Sequence, residues 1–176
     1  MEDVFKVLDW SGLGINVNGE YITYLRFADD IVVMAENTEE LSTMLNDLSR
    51  ASERVGLKMN MDKTKVMINN HVAPTPIKIA DSILEVVDDC VYLGQTVQLG
   101  RSNCEKEVNR RIRLGWAVFG KLRGIFSSNI PQCLKTKVYD QSVLPVMTYG
   151  SETWSLTMGL IRRLKVTQRA MERAML

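Results

Sequence analysis

Two adjacent carboxylates, Asp29 and Asp30, are the residues of this chain whose types and spacing could most directly do chemistry. Like charges side by side repel, and a cation placed between them relieves the repulsion. A divalent ion is the natural neutraliser, because Mg2+ binds through one or two carboxylates and completes its shell with water and phosphate oxygens. Two such ions can activate a hydroxyl nucleophile and stabilise a departing pyrophosphate. An isolated Asp-Asp pair is more often an exposed turn, so its setting decides. The other reactive types offer less. His71 sits between polar loop residues with neither a base nor a metal partner nearby. Cys90, Cys104 and Cys133 are odd in number and widely spaced, which fits neither a disulfide framework nor a zinc site and points to a reducing, intracellular setting, nucleus or cytoplasm.

The elements around the pair read as a hairpin. Tyr21 to Leu25 is rich in Tyr, Ile and Thr, and Ile31 to Met34 is a second apolar run; between them lies Arg26-Phe27-Ala28-Asp29-Asp30. Before this, Val4, Phe5, Val7, Leu8 and Trp10 can line a short helix broken by Ser11-Gly12. After it, Asn37 with Glu40 makes a capping signal for a helix whose apolar side is Leu41, Met44, Leu45, Leu48 and Val55, stopped at Gly56. Leu57, Met59 and Met61 alternate with polar residues as in a half-buried strand. Val66 to Ile68 is another apolar run, Pro74 and Pro76 mark a loop, and Ile77 to Ile79, Ile83 to Val87 and Cys90 to Leu93 read as short strands.

From Ser102, with Glu105 three residues on, the pattern turns helical: Val108, Ile112, Phe119, Leu122 and Ile125 make one stripe. Pro131 opens a second helix that Pro145 ends or kinks, and a third runs from about Thr157 to the end. The charge is split between the two halves. Residues 1–100 carry 8 Lys and Arg against 16 Asp and Glu, a balance of −8; residues 101–176 carry 14 against 5, a balance of +9. This predicts an α+β chain with a boundary near Gly100, an acidic unit over 1–100 and a basic helical unit over 101–176. The basic unit either faces a polyanion or carries a solvated basic surface. No apolar run approaches the roughly 20 residues that cross a bilayer, so no membrane role is expected.

The stretch Leu25-Arg26-Phe27-Ala28-Asp29-Asp30-Ile31-Val32 resembles the aromatic-x-Asp-Asp motif of reverse transcriptases, in the Phe-Ala-Asp-Asp form of non-LTR (LINE-type) retrotransposons. Gly56-Leu57-Lys58-Met59-Asn60-Met61-Asp62-Lys63-Thr64-Lys65 is similar to the next family motif, Tyr92-Leu93-Gly94 to the primer grip, and Tyr149-Gly150-Ser151-Glu152-Thr153-Trp154 to a signature beyond the palm. The ordered set implies a partial antiparallel polymerase palm followed by a helical, thumb-like bundle. It implies RNA-directed DNA polymerase chemistry, with Mg2+ (or Mn2+) as cofactor and deoxynucleoside triphosphates, an RNA template and a DNA primer as partners. Under the resemblance Asp29 is a catalytic metal ligand, and Asp30 shapes the field and coordinates more weakly. Phe27 and Ala28 lie near the primer terminus and the nascent base pair, and Lys63 lies near the triphosphate. Tyr92, Leu93 and Gly94 hold the primer. Arg110, Arg111, Arg113, Lys121 and Arg123 track the hybrid's backbone.

Plainer roles stand beside these. Lys63 and Lys65 also read as surface charges, Tyr92 and Leu93 as core strand residues, and Tyr149 and Trp154 as packing anchors. The family further implies an upstream Asp and a fingers region that this sequence does not contain; Asp9, followed by Trp10, fits no such pattern. The expectation is therefore a fragment inactive by itself, completed by an N-terminal part of a parent chain. The alternatives are a non-catalytic RNA- or DNA-binding module and a decayed element fragment.

Overall fold

The computed structural model describes residues 2–73, 75–80, 82–100 and 103–176, leaving the side chains of Glu2 and Asn103 aside. Pro74 and Ser102, singled out above, lie outside the described residues. Two compact units emerge, Met1–Leu93 and Gly94–Leu176. The division falls a few residues before Gly100 because the strand after Gly94 is bonded to the first helix of the second unit: the Thr96 N–H donates to Glu107 Oε2 at 2.8 Å.

In the first unit, helix α1 (Glu2–Lys6) precedes two antiparallel hairpins, β1 (Ile15–Val17) with β2 (Glu20–Ile22) and β3 (Tyr24–Phe27) with β4 (Asp30–Val33). Sequence pattern had suggested one hairpin here. The first turns on Asn18 (φ 55°) and Gly19 (φ 94°), an Asn-Gly pair of the kind that favours a two-residue turn with both residues at positive φ. Helix α2 (Thr38–Arg54) starts as its caps predict. Asn37 Oδ1 accepts from the Glu40 N–H at 2.8 Å, and Asn37 Nδ2 donates to Glu40 Oε1 at 2.7 Å. Gly56, at φ 77°, closes the other end, its N–H donating to Glu53 O at 3.0 Å.

One face of α2 buries Met44, Leu48 and Ala51 with Val4 and Trp10; a neighbouring strip buries Leu45 with Val66, Ile77, Ile79 and Leu84. The residues after Gly56 form no strand before β5 (Lys65–Val66), despite their alternation. The chain instead folds into a turn on Asn60, whose carbonyl accepts from the Thr64 N–H at 2.9 Å and the Thr64 hydroxyl at 2.8 Å. The short strands β6 (Lys78–Ile79), β7 (Ser82–Ile83), β8 (Glu85–Val86) and β9 (Asp89–Tyr92) complete the unit; β6 pairs antiparallel with β7 and β5 parallel with β8.

The second unit holds β10 (Gln95–Gln98) and the helices α3 (Asn103–Lys121), α4 (Arg123–Phe126), α5 (Gln132–Ser142), α6 (Leu144–Thr148) and α7 (Met158–Met175). Pro145 falls in the first turn of α6, where its missing N–H leaves no helical bond unmade. The core packs Phe119 against Phe126 (ring centroids 4.6 Å apart) with Tyr139, Val143, Met147 and Met171. A second cluster joins Cys104, Val108, Trp154 and Leu160. Gly115 lets α3 approach α6: a Cβ there would lie 2.4 Å from Met147 Cγ. The chain is thus a mixed α+β protein with small two-stranded sheets, and no described helix is long and apolar enough to cross a membrane.

Candidate active site and nucleic-acid interface

The β3–β4 register pairs Tyr24 with Val33, Leu25 with Val32, Arg26 with Ile31 and Phe27 with Asp30, leaving Ala28-Asp29 as the turn. Alternation along each strand then sorts the side chains. Tyr24 and Arg26 face the first unit's aromatic cluster: the Tyr24 ring stacks on Phe5 at 4.4 Å, and the Arg26 guanidinium lies 5.1 Å from the Phe5 centroid. Ile31 and Val33 join the same packing. Leu25 and Phe27 take the opposite face and are 50% and 63% exposed. Asp30, opposite Phe27 in the register, shares that open face, and Asp29 occupies the exposed tip. The hairpin therefore anchors one side in the core and presents two carboxylates beside two bare apolar side chains on the other.

Ala28 holds φ at 53°, a left-handed conformation that a Cβ disfavours by about 1–2 kcal/mol. Strain of this kind persists where the surrounding structure over-determines it and marks candidate functional turns. Ala28→Gly is expected to raise stability by roughly 0.5 kcal/mol in urea unfolding, with relief of strain partly offset by the added freedom of the unfolded chain. Ala28→Val should lose about 1 kcal/mol or more, since a β-branched residue tolerates positive φ least. The reverse order would show that the turn is not strained.

Asp29 and Asp30 supply hard oxygen donors of the kind Mg2+ prefers. Among the described residues, no cluster of three or more His, Cys, Asp or Glu side chains forms around them or elsewhere. The pair matches such an ion in chemistry but not in number, so these residues alone do not make a metal centre. Lys63 is exposed on the Asn60 turn, its backbone N–H donating to Asn60 Oδ1 at 3.2 Å. Among the described residues no hydrogen bond or ion pair links its side chain to the Asp pair. Lys65 is ion-paired with Glu85, its partner in the β5–β8 register.

Tyr92 is half-buried at the end of β9, and Leu93 (φ 49°) and Gly94 (φ 74°) both take the left-handed region. Within the second unit, the Gly94 carbonyl is held by two guanidinium groups, accepting from Arg111 Nη2 at 2.5 Å and Arg110 Nη1 at 3.1 Å. Glu107 organises both. Its carboxylate is 1% exposed, takes Arg111 Nε at 2.5 Å and Arg110 Nη1 at 3.1 Å, and accepts the Thr96 N–H. Burial works to raise the Glu107 pKa, but the Thr96 N–H and the Arg111 guanidinium outweigh it, and the net shift is downward. Arg111 also lies over the Tyr149 ring at 4.4 Å. Gly150, at φ 73°, begins the turn to Trp154, and the Thr153 hydroxyl meets the Gln95 amide at 2.9 Å. The Gly94 and Tyr149–Trp154 segments, far apart in sequence, thus meet on one polar network.

The five basic residues assigned to the nucleic-acid backbone do not share one environment. Arg113, Lys121 and Arg123 are exposed, Arg110 is half-buried and engaged, and the Arg111 side chain is 7% exposed. Arg111 is therefore spent on the fold, and its substitution would report on folding. Sequence reading missed Glu107, although an acid on the inward stripe of α3 with Arg three and four residues later was a legible signal.

The profile of the family described as reverse transcriptase (RNA-dependent DNA polymerase) matches residues 2–97. The chain is 35% identical over 163 residues to a transposon-derived protein of Caenorhabditis elegans, covering 90% of this chain and 58% of that protein. No solved structure matches.

Proposed function

The chain belongs to the reverse transcriptase family, and from that premise we propose that it is a piece of a non-LTR (LINE-type) retrotransposon reverse transcriptase. It contributes the Asp29-Asp30 hairpin of a partial palm and a basic, thumb-like helical unit. The observation that carries this reading is the hairpin geometry: two carboxylates at an exposed tip, with Phe27 and Leu25 open beside them. Enzymes of the family generally use divalent metals. Asp29 and Asp30 would be this chain's donors to such an ion, which in the whole enzyme neutralises the triphosphate during transfer. Because the pair has no third acidic companion among the described residues, further ligands must come from elsewhere. Phe27 offers an apolar platform for a base or sugar, and Ala28 holds the tight turn that brings it next to the carboxylates. Lys63 stands as an exposed cation for a phosphate.

The second unit serves binding. Its balance of +9, from 14 Lys and Arg against 5 Asp and Glu, suits an RNA–DNA hybrid held by phosphate contacts without sequence readout. A retained RNA- or DNA-binding module is the second reading, and the same charge favours it. For such work we propose a setting in nucleus or cytoplasm.

Primer extension on an RNA template with Mg2+ and deoxynucleoside triphosphates, run beside hybrid binding, tests both readings. The chain alone should bind a hybrid with salt-sensitive affinity and give no extension above background. Robust extension abolished by Asp29→Asn would show that the chain holds a working centre. No hybrid binding at low salt would overturn both readings and favour a decayed fragment, as would aggregation driven by open sheet edges.

A further inference from the structure

The second unit carries a cationic row that is separate from the α3 residues discussed above. Arg162, Lys165, Arg169 and Arg173 follow one another along α7 at spacings of three, four and four residues, which aligns them on one helix face. All four are exposed, and among the described residues none makes a side-chain hydrogen bond or ion pair. The opposite face is committed to the interior through Leu160, Leu164, Met171 and Met175. Among the described residues no acid of the unit is ion-paired with the row: Glu107 is bound to Arg110 and Arg111 and Glu105 pairs with Arg163 at 3.1 Å, while Asp140 and Glu172 border the same hollow as Arg169 and Arg173 and offset part of the charge at that end. Like charges at these spacings weaken a helix slightly, and a polyanion laid along the row would relieve that repulsion.

Resting on the reading of this chain as a nucleic-acid-binding piece of a reverse transcriptase, we propose that the outer face of α7 is a phosphate-backbone site for a nucleic-acid duplex. The row spans roughly 16 Å at 1.5 Å per residue, the axial length of about five base pairs. Three of the four residues are Arg, whose planar fork matches phosphate oxygens better than an ammonium does. A membrane surface fits less well, because an interfacial helix must lay its apolar face in lipid, and that face of α7 is already buried.

The test is fluorescence anisotropy with a labelled 16-base-pair RNA–DNA hybrid across a KCl series. It compares the native chain, a variant with Arg162, Lys165, Arg169 and Arg173 all changed to Gln, and a control with Lys6, Arg50, Arg54 and Lys58 changed to Gln. Gln favours helix and the four α7 sites are exposed, and circular dichroism checks that each variant folds. The α7 variant should bind at least about tenfold more weakly at low salt, with a salt slope shallower by about 3, while the control changes much less. Unchanged binding by the α7 variant, or an equal loss in the control, overturns the site but leaves the nucleic-acid reading intact. Absence of native binding overturns both. Phosphatidylserine vesicle binding that depends on α7, with hybrid binding unaffected, overturns the site in favour of lipid.

Discussion

Glu107→Ala is expected to remove about 3–5 kcal/mol from the stability of the Gly94–Leu176 unit, the range seen when one partner of a buried ion pair is deleted. The geometry explains the size. Glu107 is 1% exposed and Arg111 7% exposed, so the variant leaves a guanidinium charge with little water to replace its partner. It also strands the Thr96 N–H and frees Arg110 and Arg111 to reorient away from the Gly94 carbonyl. Urea unfolding followed by helical circular dichroism reads the loss. Arg111→Ala should cost less than Glu107→Ala, because Arg110 still reaches the Gly94 carbonyl. The double variant should be less damaged than the two single losses summed, by about 1–3 kcal/mol. Additive losses would mean that the pair does not act as a unit.

The same carboxylate sets a pH dependence. Its folded pKa lies below the ordinary 4.5 because the hydrogen bonds from Thr96 and Arg111 outweigh its burial. A depressed folded pKa means that the contribution is fully present above pH 4.5 and is lost as pH falls through the folded value. Stability of native protein should therefore fall on acidification below about pH 4.5, and more steeply than that of Glu107→Gln. Parallel curves for the two proteins would assign the acid sensitivity to other carboxylates.

Gly14→Ala is the second large effect. Gly14 sits at φ 98°, and a Cβ there would lie 2.6 Å from the Ile22 carbonyl oxygen and 2.9 Å from Thr23 Cα. Both neighbours are backbone, so no side-chain rotation relieves the clash. The expected loss is about 3 kcal/mol or more, combining overpacking with a conformation that L residues avoid. Gly12→Ala is the internal control. Its φ is 78° but nothing lies within 4 Å of the added Cβ, so it should lose only about 1 kcal/mol. The consequence reaches the site. Thr23 O accepts the Met34 N–H at 2.8 Å at the base of the β3–β4 hairpin, so moving Ile22–Thr23 loosens the element that presents Asp29 and Asp30. Faster hydrogen exchange of the Met34 amide in Gly14→Ala, unchanged in Gly12→Ala, would register that link. Equal stability of the two variants would show that the hairpin base adapts.

What the sequence by itself determined was local. The Asp29-Asp30 hairpin, the capped α2 helix and the Thr157-capped α7 helix rest on interactions within a few residues, which periodicity and cap chemistry report directly. The charge split needed only counting. Asn18-Gly19 was equally legible and marks a first hairpin that reading for β-prone runs alone passed over. The tertiary structure decided the rest. Leu57 to Met61 alternate like a strand, yet among the described residues no partner strand pairs with them, and the Asn60 carbonyl is taken up in a turn by Lys63 and Thr64 instead. Arg110 and Arg111 look alike in sequence, but Arg111 turns inward because Glu107, the Gly94 carbonyl 17 residues away and the Tyr149 ring converge on it. A cation's role depends on which distant groups reach it. A helical period shows which side of a helix faces inward, but not which polar partners wait there, so the division between cations that hold the fold and cations left free for a polyanion became visible only once the chain had folded.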